Sequence, residues 1–184
     1  MKTDSLPQLK QDLQFKAKNG IDFIFAAAIL WLLISYTWTL DFSSYNRSIL
    51  TFMVGAILLP LAFGLSKVFK TKWKLKDNPL QPLGLWLNFA QLIYFPFLIF
   101  ILIKYPDYFI MTYAIITGAH LFPYAWLYDE IGYAVFAVLI AAGSLLIALN
   151  CTIEDMWYIP LYTSVLLLIL GLWIYRNWLK LAMK

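Results

Sequence analysis

The chain has 184 residues, 62% of them hydrophobic and only 13% charged, with a mean hydropathy of +0.74. A soluble domain of this length has too little interior to hide so much apolar material, so a water-soluble globule is excluded and lipid must solvate the excess. The net charge of +4 and pI of 9.1 come from lysines placed at the ends of apolar stretches, which argues for anionic lipid and against nucleic acid, and the one cysteine, Cys151, excludes an intramolecular disulfide.

In chain order, residues 5–18 read first as a short amphipathic helix. Ser5 and Gln8 have capping-box spacing, Leu6, Leu9, Leu13 and Ala17 recur at helical intervals, lysines take the other face, and Asn19-Gly20 ends the helix. Residues 1–20 are expected to lie as an interfacial helix at the inner headgroups, and their polarity argues against a cleavable signal. Six apolar stretches follow, at residues 21–40, 49–69, 83–103, 109–127, 131–149 and 158–175. Each has about the 20 residues that cross a hydrocarbon core of ~30 Å. The expected fold is all-α: one integral membrane domain over 1–184, a bundle of six transmembrane helices across 21–175, with the short amphipathic helix before it and a cytoplasmic tail at 176–184.

Six crossings sort the charges. Lys2, Lys10, Lys16, Lys18, Lys67, Lys70, Lys72, Lys74, Lys76, Arg176, Lys180 and Lys184 fall on one side, whereas Arg47 and Lys104 share the other with Asp41, Asp107, Glu154 and Asp155. The positive-inside rule then places both termini in the cytoplasm. The longest inner loop, 70–82, alternates lysines with Thr71, Trp73 and Leu75 before Asp77-Asn78-Pro79 starts a helix; such a segment sets topology and can also hold anionic headgroups. Tyr128-Asp129-Glu130 leaves so little chain that the flanking spans must form an antiparallel hairpin.

A shift of 63 residues lays Gly55-Ala56-Ile57-Leu58-Leu59-Pro60-Leu61-Ala62-Phe63 over Gly118-Ala119-His120-Leu121-Phe122-Pro123-Tyr124-Ala125-Trp126, with five identities in nine. The same shift pairs Ala27 with Ala90 and Trp31 with Tyr94, which suggests a parallel repeat of two hairpins. Gly55 with Ala62, and Gly118 with Ala125, share a helix face that admits close packing. Pro60 and Pro123 each remove an amide and are expected to kink their helices.

The two hairpins differ where polarity matters. Phe25, Ala28, Ile57 and Leu61 in the first are matched by Asn88, Gln91, His120 and Tyr124 in the second. Counted from the inner ends of antiparallel helices, Gln91 and His120 both fall about 12 Å deep. Polar groups at that depth are costly unless paired, so either they bond one another and glue the bundle, or they line a pocket for a small polar molecule or lipid headgroup. Asp22, Asp129 and Glu130 are placed at the inner mouth of that pocket. His120 is the sole histidine and no cysteine or carboxylate lies near it in sequence, so no metal or other cofactor is expected.

The run at residues 113–128, centred on Gly118-Ala119-His120-Leu121-Phe122-Pro123-Tyr124, resembles a family of uncharacterised bacterial six-span membrane proteins, as do Lys76-Asp77-Asn78-Pro79-Leu80 and Leu9-Lys10-Gln11-Asp12-Leu13. The resemblance implies a bacterial plasma membrane and brings no established activity or functional residue. No catalytic motif is found, which favours a non-enzyme without deciding the point. The leading expectation is a protein that binds a small polar molecule or headgroup between the third and fourth spans, either to transport it or to bind it without translocation. Membrane lipids are its expected partners, with a second copy or another membrane subunit in addition. Two alternatives stay open: a subunit of a multi-component transporter, similar in size and span number to the substrate-capturing subunits of vitamin importers, and an intramembrane lipid-modifying enzyme with His120 as base assisted by Asp129 or Glu130.

Overall fold

A computed structural model describes residues 5–183; Lys2 and Lys184 lie outside them. Among the described residues all regular structure is helical: α1 Leu6–Ala17, α2 Ile21–Thr39, α3 Ser44–Gly55, α4 Leu58–Phe69, α5 Gln81–Leu92, α6 Phe95–Lys104, α7 Phe109–Leu127, α8 Gly132–Asn150 and α9 Tyr158–Ala182. The core is built from two intimate pairs, α7 with α8 and α2 with α9, joined where α8 meets α9. Ser164 on α9 donates to the Ala28 carbonyl of α2 at 2.7 Å, and Tyr162 on α9 donates to the Leu139 carbonyl of α8 at 2.9 Å. Hydroxyl bonds of this kind join helices where apolar contact alone gives little preference for protein over lipid.

The expected six-span bundle with a separate short amphipathic helix is not what forms. Among the described residues five helical stretches are long and apolar enough to cross a membrane: Leu6–Thr39, Ser44–Phe69, Gln81–Lys104, Gly132–Asn150 and Ile153–Ala182. The first runs for 34 residues, and 61% of its apolar window is buried. Its N-terminal part, α1, is therefore the start of a long packed helical run. Leu13 is buried, Phe15 packs on Trp178 of α9, and the Gln14 amide donates to the Tyr128 carbonyl in the turn between α7 and α8. Asn19-Gly20 still marks a joint, since Lys18, Asn19 and Gly20 all take left-handed φ values of 48°, 53° and 71° that redirect the chain into α2. α7 is missing from the five because Thr112, Thr117, His120 and Pro123 dilute its apolar character; it equals α8 in length, packs along it, and has Phe122 and Trp126 exposed on its outer side. α9 continues to Ala182, through most of the residues expected as the tail.

Proline explains the broken helices. Pro60 has no amide for the Ala56 carbonyl, and the ladder slips to a tighter turn there, with Ile57 N–H donating to the Val54 carbonyl at 3.1 Å. Pro96 does the same between α5 and α6, where Ile93 N–H turns to the Ala90 carbonyl at 3.2 Å. By contrast α7 passes through Pro123 without interruption, clamped along its length by α8. The closeness of that seam is set by Gly118, where a Cβ would come within 3.0 Å of the Ala137 carbonyl and the Ala141 amide. The broken helices are peripheral: only 17% of the apolar window in Ser44–Phe69 and 6% of that in Gln81–Lys104 is buried. In the 63-residue echo the breaks fall on opposite members, since α2 is whole where its counterpart breaks between α5 and α6, and α7 is whole where its counterpart breaks between α3 and α4.

The basic segments converge at one end of the bundle. The Lys72 N–H donates to the Lys16 carbonyl at 3.0 Å, Asn78 donates to the Leu9 carbonyl at 2.8 Å, and Lys18 sits over the Trp178 ring at 4.0 Å. At the opposite end Trp38 donates to Thr51, and Ser35 to the Trp157 carbonyl, with Cys151 nearby at the close of α8.

Candidate functional site

The α5–α7 contact brings together two of the four polar residues expected to form a layer. Tyr124 Oη donates across the helices to the Gly84 carbonyl at 2.9 Å, and Asn88 Nδ2 reaches the same carbonyl from one turn along α5 at 3.2 Å. His120, one turn from Tyr124, turns its ring to its own helix and pairs Nδ1 with the Thr117 carbonyl at 2.7 Å. A carbonyl only accepts, so the proton is on Nδ1 and Nε2 carries a bare lone pair. Gln91 has no side-chain hydrogen bond among the described residues, and no bond there joins His120 to Asn88 or Gln91. Asn88, Gln91 and His120 are all partly exposed, while Tyr124 is buried.

The three acids expected at a pocket mouth behave differently from one another. Asp22 is 1% exposed, and its Oδ2 accepts from Thr71 Oγ1 at 2.8 Å and from the Trp73 indole at 2.5 Å. Glu130 is 6% exposed; Oε1 accepts from the Trp173 indole at 3.0 Å and the Gly132 amide at 3.3 Å, and Oε2 from Asn177 at 2.9 Å. Both carboxylates accept from neutral donors, and each ties a connecting segment to a distant helix: Asp22 holds the 70–82 loop to α2, Glu130 the α7–α8 turn to α9. Asp129 is exposed at a left-handed φ of 48° and lines an open cleft of about 380 Å³ with Lys10, Gln11 and Gln14.

Between the two ties lies a stack of phenols. Tyr124, Tyr128 and Tyr133 pack ring on ring at centroid distances of 5.7 to 6.0 Å, and Tyr133 Oη donates to the Asn19 carbonyl that the left-handed joint presents. Burial of Tyr128, followed by the Asp22 carboxylate beside it, pushes the ionisation of its phenol up and keeps it neutral. Gly20 is required here, since a Cβ would stand 3.3 Å from Tyr128 Oη and 3.4 Å from Tyr133 Oη on a backbone already at positive φ. Sequence reading missed this cluster as a unit. The one available signal was the density of tyrosines on either side of Asp129, which reads equally well as an interfacial belt. Among the described residues no three histidine, cysteine or acidic side chains gather where a metal ion could be held.

Long apolar helices, polar groups tied inside the bundle and lysines gathered at one end define a multi-pass α-helical membrane protein. The chain belongs to a family of unknown function (DUF7010), whose model matches residues 6–177. No curated protein and no solved structure matches it.

Proposed function

We propose that this protein binds, and carries across the membrane, a small polar molecule or lipid headgroup at the α5–α7 layer, entered from the lysine-bearing end. The observation that carries the reading is hydrogen-bonding capacity left over at membrane depth. His120 Nε2, Asn88 Oδ1 and the whole Gln91 amide have no partner among the described residues, and all three side chains are partly exposed. Unused polar capacity in a bilayer is costly to keep, and a ligand that supplies one donor and one or two acceptors offsets that cost. The two clefts at the basic end are lined by other residues, and in this reading the ligand enters by separation of α5 from α7, a movement the peripheral position of α5 permits.

The test is mass spectrometry of what stays on the gently purified protein. A species retained by the wild type and lost from His120→Ala, at an unchanged unfolding midpoint, is the expected result. No retained species, or a fold lost together with binding, overturns the reading. The orientation has its own test. α1 meets the end of α9, where Phe15 and Lys18 lie against Trp178, so both chain ends share the lysine-bearing end of the bundle, and we place that end in the cytoplasm on the strength of its lysines. Cys151, the sole cysteine, is then labelled by a membrane-impermeant maleimide in intact cells. A cysteine placed at position 180 in a Cys151→Ser background is labelled only after permeabilisation, and the reverse pattern inverts the topology.

A further inference from the structure

We infer that the cleft between α1 and the 70–82 loop is a binding site for a phosphate-bearing anion, presented by the headgroup of an acidic phospholipid or by free phosphate. The cleft measures about 310 Å³ and is lined by Lys16, Lys72, Lys74 and Lys76 with Asp77 and Asn78. That volume sits at the lower end of the roughly 300–1,000 Å³ range of small-molecule sites.

Loop rigidity distinguishes this cleft from a loose run of surface lysines. Leu75 and Asn78 are buried, Asn78 donates to the Leu9 carbonyl at 2.8 Å and to Asp12 at 3.1 Å, and the Lys72 amide is bonded to the Lys16 carbonyl. The Trp73 indole is held on the buried Asp22 carboxylate, and its ring stacks on Phe23 at 4.9 Å. Thr71 and Trp73 are bonded to Asp22 and Leu75 is buried, while Lys72, Lys74 and Lys76 are exposed and line the one cleft. Among the described residues the one ion pair is Lys16 with Asp12, so none of these three ammonium groups is within ion-pair distance of a carboxylate, with Asp12 near enough to feel the charge of Lys72 and Asp77 at the edge of the cleft. Three unpaired, partly preorganised ammonium groups beside Trp73 at a bilayer surface match the charge and the depth of a lipid phosphate. The site is separate from the α5–α7 layer and stands or falls without it.

The test is native mass spectrometry of the detergent-solubilised full chain with added phosphatidylglycerol or phosphatidylcholine, at low and at high salt. Wild type is expected to prefer phosphatidylglycerol, and the preference to fall with salt; equal binding of the two lipids overturns the proposal. The triple variant K72Q/K74Q/K76Q is expected to lose about a hundredfold in phosphatidylglycerol affinity, at about fivefold for each lysine. A control that removes the same charge from the same end outside the cleft, K67Q/R176Q/K180Q, is expected to keep it. Equal loss in both variants shows general attraction to a positive surface and overturns the site. Displacement of the lipid by millimolar inorganic phosphate assigns the free anion, and resistance to it assigns the headgroup.

Discussion

Two regions of the bundle hold polar groups away from water, and they treat them in opposite ways. At the lysine-bearing end, Asp22 and Glu130 accept bonds from residues 43 to 51 positions away in the chain. In the α5–α7 layer, Asn88 and His120 reach only carbonyls four and three residues away on their own helices, and Tyr124 alone crosses. Unfolding separates distant partners, so the first set holds the tertiary structure together. A helical carbonyl already receives a backbone amide, so the second set adds little to stability and leaves capacity for something else.

The largest effect that sharpens this contrast is expected at Glu130. Glu130→Ala removes the buried acceptor of the half-exposed Trp173 indole and the partly exposed Asn177 amide. Bonds to a charged acceptor contribute about 1.5–3 kcal/mol each, but these donors can turn to water, so a loss of about 2–3 kcal/mol is expected in an unfolding titration in mixed micelles. A loss below about 1 kcal/mol breaks the comparison at its strong side. Asp22→Asn is milder. An amide oxygen can still accept from Thr71 and Trp73, and only the charge-assisted part of those bonds goes, for a loss of about 1–2 kcal/mol. The loop it tethers is expected to become more sensitive to trypsin at Lys72, Lys74 and Lys76. Unchanged proteolysis would mean that the 70–82 loop is held by Leu75 and Asn78 alone.

The contrast also marks where sequence stops being legible. Short-range features could be read directly: the Asn19-Gly20 joint, the turn at Tyr128-Asp129-Glu130, the slip of the ladder before Pro60 and the small-residue seam at Gly118 all follow from residues within a few positions of one another. The same proline rule applies at Pro96, where the break between α5 and α6 lay in plain view. The carboxylate ties were not legible, because nothing near Asp22 announces Thr71 and Trp73, and nothing near Glu130 announces Trp173 and Asn177. The long N-terminal run was hidden for the same reason: Leu13 reads as part of the Leu6, Leu9 and Ala17 stripe of a surface helix, and nothing near Gln14 and Phe15 announces the α7–α8 turn and α9 that they meet. At the α5–α7 layer, sequence placed Asn88, Gln91, His120 and Tyr124 at similar depth, and which of them would bond across the helices depended on rotamers it does not encode.

Tyr124→Phe isolates the one bond that crosses that layer. The ring stays in its stack with Tyr128 and Tyr133, and only the donation to the Gly84 carbonyl is lost, so a destabilisation of about 1 kcal/mol is expected. A loss as large as that of Glu130→Ala would make the layer a tie like the others.

The smallest effect, at Gln91, discriminates most sharply between a structural and a ligand-binding layer. Its amide has no hydrogen bond among the described residues and is partly withdrawn from water, an arrangement that costs free energy in the empty protein. Leucine has nearly the same length and helix preference, so Gln91→Leu removes that cost without opening a cavity. Stability is therefore expected to stay level or to rise by up to about 1 kcal/mol, whereas any species retained through the layer is expected to be lost. If the variant is instead destabilised by more than about 1 kcal/mol, the amide has a partner in the membrane that holds α5 in place. The layer then joins the carboxylates as part of the scaffold, and no unused capacity remains there to assign to a ligand.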